Sequence, residues 1–314
     1  MKYLVLIRYQ NLLMLALMQW LFRFGGFDGI GFLKNHNNPL ALNDFQYYLL
    51  IMATVCIAAG GYIINNIHDV ETDLKNKPHQ VVVGIAINEN LAYNLYFLCT
   101  IIGVLIGFYI SNIVNKPNLA IIFIIISSLL YFYATNLKQS LIIGNILTAF
   151  VLSMSVIIIG IFNLYPIINN NNIILMKVLF SIIFDYAIFT FIINFIREII
   201  KDIEDIEGDR EQDMQTIPIY FGISITLKLV FMLFIISILM IIYYIYYYLY
   251  ENNLFYATFY SLMTILAPLL YAAIKTSFAK NKQDYSHLSW VLKWLLLFGI
   301  GSIAIITLNI QQNA

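Results

Sequence analysis

The sequence predicts an all-α, polytopic membrane protein, a single domain over residues 1–314 with about nine membrane-crossing helices. Three observations carry this. Of 314 residues, 61% are hydrophobic and only 11% charged, where a soluble domain carries roughly 25% charge. The mean hydropathy is +0.82. Apolar runs long enough to cross hydrocarbon recur along the whole chain, and the 17 acidic residues are gathered rather than scattered.

No soluble fold of this length hides so much apolar surface, so lipid must be the solvent for much of it. A helix crossing the hydrocarbon needs about 20 apolar residues at ~1.5 Å each. Runs of that kind fall at 9–24, 45–65, 90–112, 118–136, 141–163, 173–199, 223–248, 255–276 and 288–309. The first is short. It lacks a small-residue cleavage site and Arg8 interrupts its start, which predicts a retained helix rather than a signal peptide. Only LKQS at 137–140 separates the fourth run from the fifth, and NNNN at 169–172 reads as a loop. The tyrosine-rich stretch 243–250 reads as an interfacial belt.

Net charge is zero, which gives no reason to expect nucleic acid. Cys56 and Cys99 lie in apolar runs, where a disulfide is not expected. With His36, His68, His79 and His287 they show no metal-type Cys/His spacing. No obligate protein partner is evident.

The basic residues orient the chain. With the N-terminus in the cytoplasm, twelve Lys and Arg fall at cytoplasmic ends, among them Lys75, Lys77, Lys138, Arg197 and Lys201. Arg23, Lys34, Lys116 and Lys177 fall on the other side, and Lys293 lies just inside the last run. That bias predicts a cytoplasmic N-terminus in the plasma membrane.

Three acids lie in 69–73 (Asp69, Glu71, Asp73) and eight in 198–213 (Glu198, Asp202, Glu204, Asp205, Glu207, Asp209, Glu211, Asp213). Each stretch follows an even-numbered run, so both face the cytoplasm. An acidic residue at mid-bilayer costs about 2.5–3.5 kcal/mol on the insertion scale. These stretches therefore sit in water, in a polar cavity or on cations. Asn65, Asp69 and Asp73 are four apart, as are Asp205, Asp209 and Asp213, while Asp202 precedes Asp205 by three. If the helices continue, each set shares one face. Like charges at this spacing repel, and hard oxygen ligands in pairs suit Mg²⁺ or Ca²⁺. The plain alternative is a pair of solvated acidic loops.

These residues resemble the UbiA superfamily of intramembrane prenyltransferases. Its first motif, N-x-x-x-D-x-x-x-D, is met by Asn65, Asp69 and Asp73 and runs on into Asn76-Lys77-Pro78. Its second, D-x-x-x-D, is met by Asp205 and Asp209. The stretch from Arg197 to Asp209, followed by Thr216-Ile217-Pro218, is similar to the digeranylgeranylglyceryl phosphate synthase branch. So are the Tyr131…Leu137-Lys138…Gly144-Asn145 pattern and the opening Arg8-x-x-Asn11. The chain departs from the family at His79-Gln80-Val81, where Arg-Pro is common, at Asn66, where Asp is common, and near Asp213, where Gly or Lys is common.

The resemblance implies helices around a central cavity and Mg²⁺-dependent transfer of an isoprenyl group from its diphosphate to an acceptor. The best-matching acceptor is geranylgeranylglyceryl phosphate or a similar lipid. An aromatic acceptor such as 4-hydroxybenzoate is the alternative. Asp69, Asp73, Asp205 and Asp209 are the implied catalytic metal ligands, with Asn65 and Asp202 second. Asn65 has a competing role as a helix cap. Lys138, Lys201 and Arg8 are candidates for the diphosphate. Asn145, Asn11 and the intramembrane Asp185 are candidates for the acceptor, each with a structural reading beside it. A cation transporter is the reading from a different class. It fits less well, because the acids gather at one side rather than at the midplane.

Overall fold

The computed structural model describes residues 2–27 and 40–313. Lys34 and His36 lie outside them. Among the described residues the elements are helical, apart from a single bridge between Val83 and Ile87. In chain order the helices are α1 (Lys2–Leu6), α2 (Tyr9–Trp20), α3 (Asp44–His68), α4 (Val70–Asn76), α5 (Glu89–Ile113), α6 (Ala120–Thr135) and α7 (Ile143–Asn163). They continue as α8 (Ile173–Glu204), α9 (Ile206–Glu211), α10 (Ile217–Phe221), α11 (Ile223–Tyr244), α12 (Phe255–Ser261), α13 (Ala267–Phe278) and α14 (Lys282–Asn313).

Eight helical stretches among the described residues are long and apolar enough to cross a membrane. The ninth expected crossing, 9–24, is α2 prolonged by a π-wound segment, Leu21–Phe27. It holds the buried Arg23, which pairs with Asp44 at 3.0 Å, and is less apolar than the eight. The fourth and fifth runs separate at a short 3₁₀ turn, Leu137–Gln139, and residues 170–172 form a turn.

α3 opens with a reciprocal cap. Asn43 accepts from the Gln46 N–H, and the Gln46 side chain accepts from the Asn43 N–H, both at 2.9 Å. α3 and α5 pack closely because Gly103 has no side chain: a Cβ there would lie 3.0 Å from the Ala53 carbonyl oxygen. One core joins α3, α6, α7 and the first half of α8 around Tyr47, Phe123, Phe162 and Ile183. A second joins the later half of α8 to α11, α13 and α14 around Ile196, Phe234, Leu269 and Leu292. Outward-facing Phe, Leu, Ile and Tyr are widely exposed, as lipid solvation allows.

Candidate active site

Both acidic motifs are built the same way. α3 ends at His68, and Asp69 leaves the helical region (φ −92°, ψ 1°) before α4 carries the chain to Asp73. α8 ends at Glu204, and Asp205 does likewise (φ −101°, ψ 7°) before α9 carries it to Asp209. The helical hydrogen bonds survive across each break: Asp69 N–H to the Asn65 carbonyl at 2.9 Å, and Asp205 N–H to that of Lys201 at 2.8 Å. The four-residue spacing therefore keeps its shared face, and α9 packs against α4.

Asn76 binds the two motifs to each other. Its Nδ2 donates to the Asp205 carbonyl at 2.9 Å, and its Oδ1 accepts the Gly208 N–H at 3.1 Å. Gly208 is required there, since a Cβ would stand 2.7 Å from Asn76 Cγ. The Asn76 carbonyl in turn accepts from Lys282 Nζ at 3.1 Å.

The motifs line a polar cavity of about 520 Å³. Lys138 Nζ reaches Asp69 Oδ2 at 2.6 Å, and Asn65 Nδ2 donates to the same carboxylate at 2.5 Å. Asn65 thus holds the motif's first aspartate and does not cap the helix. Lys77, from the first motif, pairs with Asp205 of the second at 2.5 Å. Asn145 Nδ2 donates to Asp202 Oδ2 at 2.7 Å. Asp73 also lines this cavity. Burial pushes the Asp209 carboxyl up to about 7; Lys138 and Lys77 offset part of that, and Asp205 and Asp69 add to it. Burial likewise raises Asp73, with Asp69 adding. Burial works to lower Lys138, but Asp69, with Tyr133 and Asp73 adding, together offset it and hold the ammonium above its ordinary value.

The cavity's lining mixes charges. The acids Asp69, Asp73, Asp202, Glu204, Asp205 and Asp209 share it with Lys77 and Lys138, and also with Arg8, Arg197, Lys201, Lys293 and Glu198. Lys201 contacts Glu198 at 2.5 Å and Arg197 lies 3.8 Å from it. Arg197 Nε donates to the Ser289 carbonyl at 3.4 Å, and Lys293 Nζ donates to Gln10 Oε1 at 3.1 Å. Arg8 lies 5.4 Å over the Tyr62 ring from a left-handed backbone (φ 49°).

Two apolar branches leave the cavity. The first, of about 140 Å³, begins at Asn65, Tyr133 and Lys201 and runs between α3, α6 and α7 past Gly61, Leu130 and Ile158. The second, of about 130 Å³, begins at Arg197, Lys293 and Asn194 and runs between α2, α7, α8 and α14 past Met18 and Ile300. Asn11 lines the cavity and both branches.

Divalent cations suit the acidic motifs on the chemistry of their donors. Asn65 Oδ1 and Asp205 Oδ1 are buried without a hydrogen-bond partner, and the rest of the donor set is carboxylate oxygen. Among the described residues no three His, Cys, Asp or Glu side chains converge into a ready-made cage.

The fold therefore brings Asn65, Asp69, Asp73, Asp202, Asp205, Asp209, Lys138, Lys201, Arg8, Asn145 and Asn11 to one cavity. It does not bring Asp185 there. Asp185 lines a separate cavity of about 450 Å³ with Tyr186, Tyr244 and Ser302, several helical turns away along α8. An intramembrane acid is a reasonable site candidate, but its position twelve residues before Arg197 puts it far from the motifs. Sequence reasoning gave no role to Lys77, Asn76, Arg197, Glu198 or Lys293. The spacing of Asn194, Arg197, Glu198, Lys201, Asp202 and Asp205 marks one helix face, and that signal contained two of them. Asp213 adopts a left-handed backbone (φ 53°), where the glycine common in similar sequences would sit without strain. Cys56 and Cys99 are free thiols.

A model of the UbiA prenyltransferase family matches residues 32–306. Among curated relatives, the digeranylgeranylglyceryl phosphate synthase of Methanobrevibacter smithii is 31% identical over 191 residues, 60% of this chain and 63% of that one. That of Saccharolobus solfataricus is 30% identical over 204 residues, 65% of this chain and 66% of that one. The chain spans about 63% of the length of the first of these relatives. Among solved structures, one described as concerning digeranylgeranylglyceryl phosphate synthase in membranes superposes with a TM-score of 0.61 at 23% identity, covering 96% of this chain and 98% of that one. A UbiA homologue from Archaeoglobus fulgidus bound to GPP and Mg²⁺ gives 0.59 at 15%, covering 97% and 100%. The apo UbiA homologue from Aeropyrum pernix K1 gives 0.69 at 13%, covering 95% and 98%. At these identities the structural likeness concerns the fold.

Proposed function

Since the chain belongs to the UbiA prenyltransferase family, we propose that it is a prenyltransferase. In this reading it moves an isoprenyl group from a prenyl diphosphate to the hydroxyl of a prenylated glyceryl phosphate, with Mg²⁺ as cofactor. The observation that carries the reading is the cavity lined by both motifs and by several basic residues, with its two apolar branches. The acids with Lys77 and Lys138 suit a metal-held diphosphate, and the first branch, which starts at Asn65, suits the donor's tail. Arg8, Arg197, Lys201 and Lys293 suit a second anion, and the second branch gives that anion a tail of its own. An aromatic acid satisfies those basic residues but leaves the second branch without a use. The synthases to which the chain is similar carry a lipid phosphate in their name.

Bound at Asp69, Asp73, Asp205 and Asp209, with Asn65 and Asp202 beside them, Mg²⁺ supplies charge neutralisation for the departing diphosphate. The chain's own residues do the rest. Lys77, on the first motif, and Lys138, on the 3₁₀ turn Leu137–Gln139, hold the diphosphate oxygens. Asn145 holds Asp202 in place. Arg8, Arg197, Lys201 and Lys293 hold the acceptor's phosphate, and Asn11 sits where both tails diverge. The Tyr133 ring, which lines both the cavity and the first branch, favours the allylic cation by up to about 2 kcal/mol where desolvated. The allylic C–O bond breaks with its electron pair on the diphosphate. A new C–O bond forms to the acceptor oxygen, and the hydroxyl proton leaves with the diphosphate. The excess of Lys and Arg at one set of helix ends supports placing this cavity on the cytoplasmic face of the membrane.

The test is purified protein in nanodiscs with labelled geranylgeranyl diphosphate and a panel of acceptors. An ether lipid should form with a prenylated glyceryl phosphate and Mg²⁺, and not in EDTA. Transfer to 4-hydroxybenzoate in place of the lipid phosphate overturns the acceptor; activity that survives EDTA overturns the metal.

A further inference from the structure

The second apolar branch does not end in solid protein. Its far end is lined by Tyr186, Phe189 and Gly299, and the same three residues line the separate cavity around Asp185. The wall between the two spaces is therefore one side chain thick. Tyr186 is fixed in it by a 2.6 Å hydrogen bond between its hydroxyl and that of Ser302, and its ring meets Phe22 edge to face at 5.2 Å. Phe189 faces Gly299 from the opposite helix: a Cβ built on Gly299 would meet the Phe189 ring at 3.4 Å. Along α8, Tyr186 lies eleven residues from Arg197, about 16 Å at ~1.5 Å per residue. A chain whose phosphate rests on Arg197 would reach this wall with its tail.

We infer that Tyr186, Phe189 and Gly299 form the stop that sets how long an acceptor tail the enzyme takes, with the cavity around Asp185 as the space beyond it. The inference rests on the proposed tail-bearing phosphate acceptor and adds which residues measure it. The stop belongs to the acceptor's branch, because the first branch touches none of the three residues. A larger residue at 299 moves the stop towards Arg197 by filling the branch against Phe189. Loss of the Phe189 ring opens the branch into the cavity of about 450 Å³ beyond.

The experiment measures kcat/KM with acceptor phosphates whose tails lengthen one isoprene unit at a time, against a fixed donor. The series is then repeated with donors against a fixed acceptor. Gly299→Leu should penalise the longest acceptor tails by about tenfold or more while sparing the short ones, as expected for a filled apolar pocket. Phe189→Ala should admit tails longer than wild type accepts, and the donor series should be unchanged in both. Gly299→Ala, which makes an ordinary contact with Phe189, carries the test in the same direction if the leucine variant does not fold. Wild-type turnover of lipid acceptors with length profiles that none of the variants moves overturns the stop alone. A shift in the donor series instead of the acceptor series overturns it too. Absence of any turnover of tailed acceptor phosphates by wild type overturns the parent reading and the stop with it.

Discussion

Asn76 and Gly208 lie 132 positions apart and lock the two acidic motifs in register, the asparagine accepting the glycine N–H at 3.1 Å while donating to the Asp205 carbonyl at 2.9 Å. Each bond, part-buried or buried, is worth about 0.5–1.5 kcal/mol net, and stranding a buried partner costs about 1–3. Asn76→Ala should therefore weaken Mg²⁺-dependent diphosphate binding roughly tenfold or more, at about 1.4 kcal/mol per decade, while the protein still folds. Calorimetric titration of the diphosphate with and without Mg²⁺ measures this. Gly208→Ala should act in the same direction through its clash with Asn76, and unchanged binding in both variants would rule the lock out.

Lys138 should matter most before substrate arrives. Its ammonium neutralises Asp69, whose side chain is only 5% exposed. Lys138→Gln leaves that carboxylate uncompensated, which costs about 1–3 kcal/mol at a part-buried site. The melting temperature in EDTA should fall, and millimolar Mg²⁺ should recover more of it than in wild type.

Asn145 is expected to act through Asp202. Asn145→Ala removes a 2.7 Å bond to that carboxylate, and Asn145→Asp replaces a donor with a like charge. Steady-state rates should fall in the order wild type, alanine, aspartate, the alanine step being about tenfold for a lost charge-assisted bond. Equal rates for the two variants would argue against a link through Asp202.

Gly103 tests the packing that carries the first motif. Its missing Cβ lets α5 approach the Ala53 carbonyl on α3. Gly103→Val should destabilise by about 1–3 kcal/mol through overpacking, read as a lower melting temperature in detergent. Gly84, with no atom near its Cβ position, should bear no packing penalty, only the backbone strain of its positive φ.

Most of the residues that share the cavity were legible because the acids Asp69, Asp73, Asp205 and Asp209 are expensive in lipid and therefore conspicuous. An acid in an apolar chain draws attention, and four-residue spacing gives it a face. Lys77 and Arg197 were harder, because a basic residue at a cytoplasmic helix end is expected on topology alone. Asn76 was harder still: its role depends on a backbone 129 residues away, and no periodicity encodes that. Asp185 is a different case. It has the rarity of a functional group, yet the helix that carries the second motif places it several turns away, in a separate cavity. The 9–24 stretch is helical as apolarity marks it, but apolarity says nothing of the π-winding at Leu21–Phe27 or of Arg23's pairing with Asp44 on α3.

Asn11 lines the polar cavity and both apolar branches at once. On the proposed reading, donor and acceptor therefore occupy one connected space together, and the bond changes hands only with both present. Double-reciprocal plots at varied donor and acceptor should then intersect; parallel lines would mean that a side chain carries the isoprenyl group between two half-reactions.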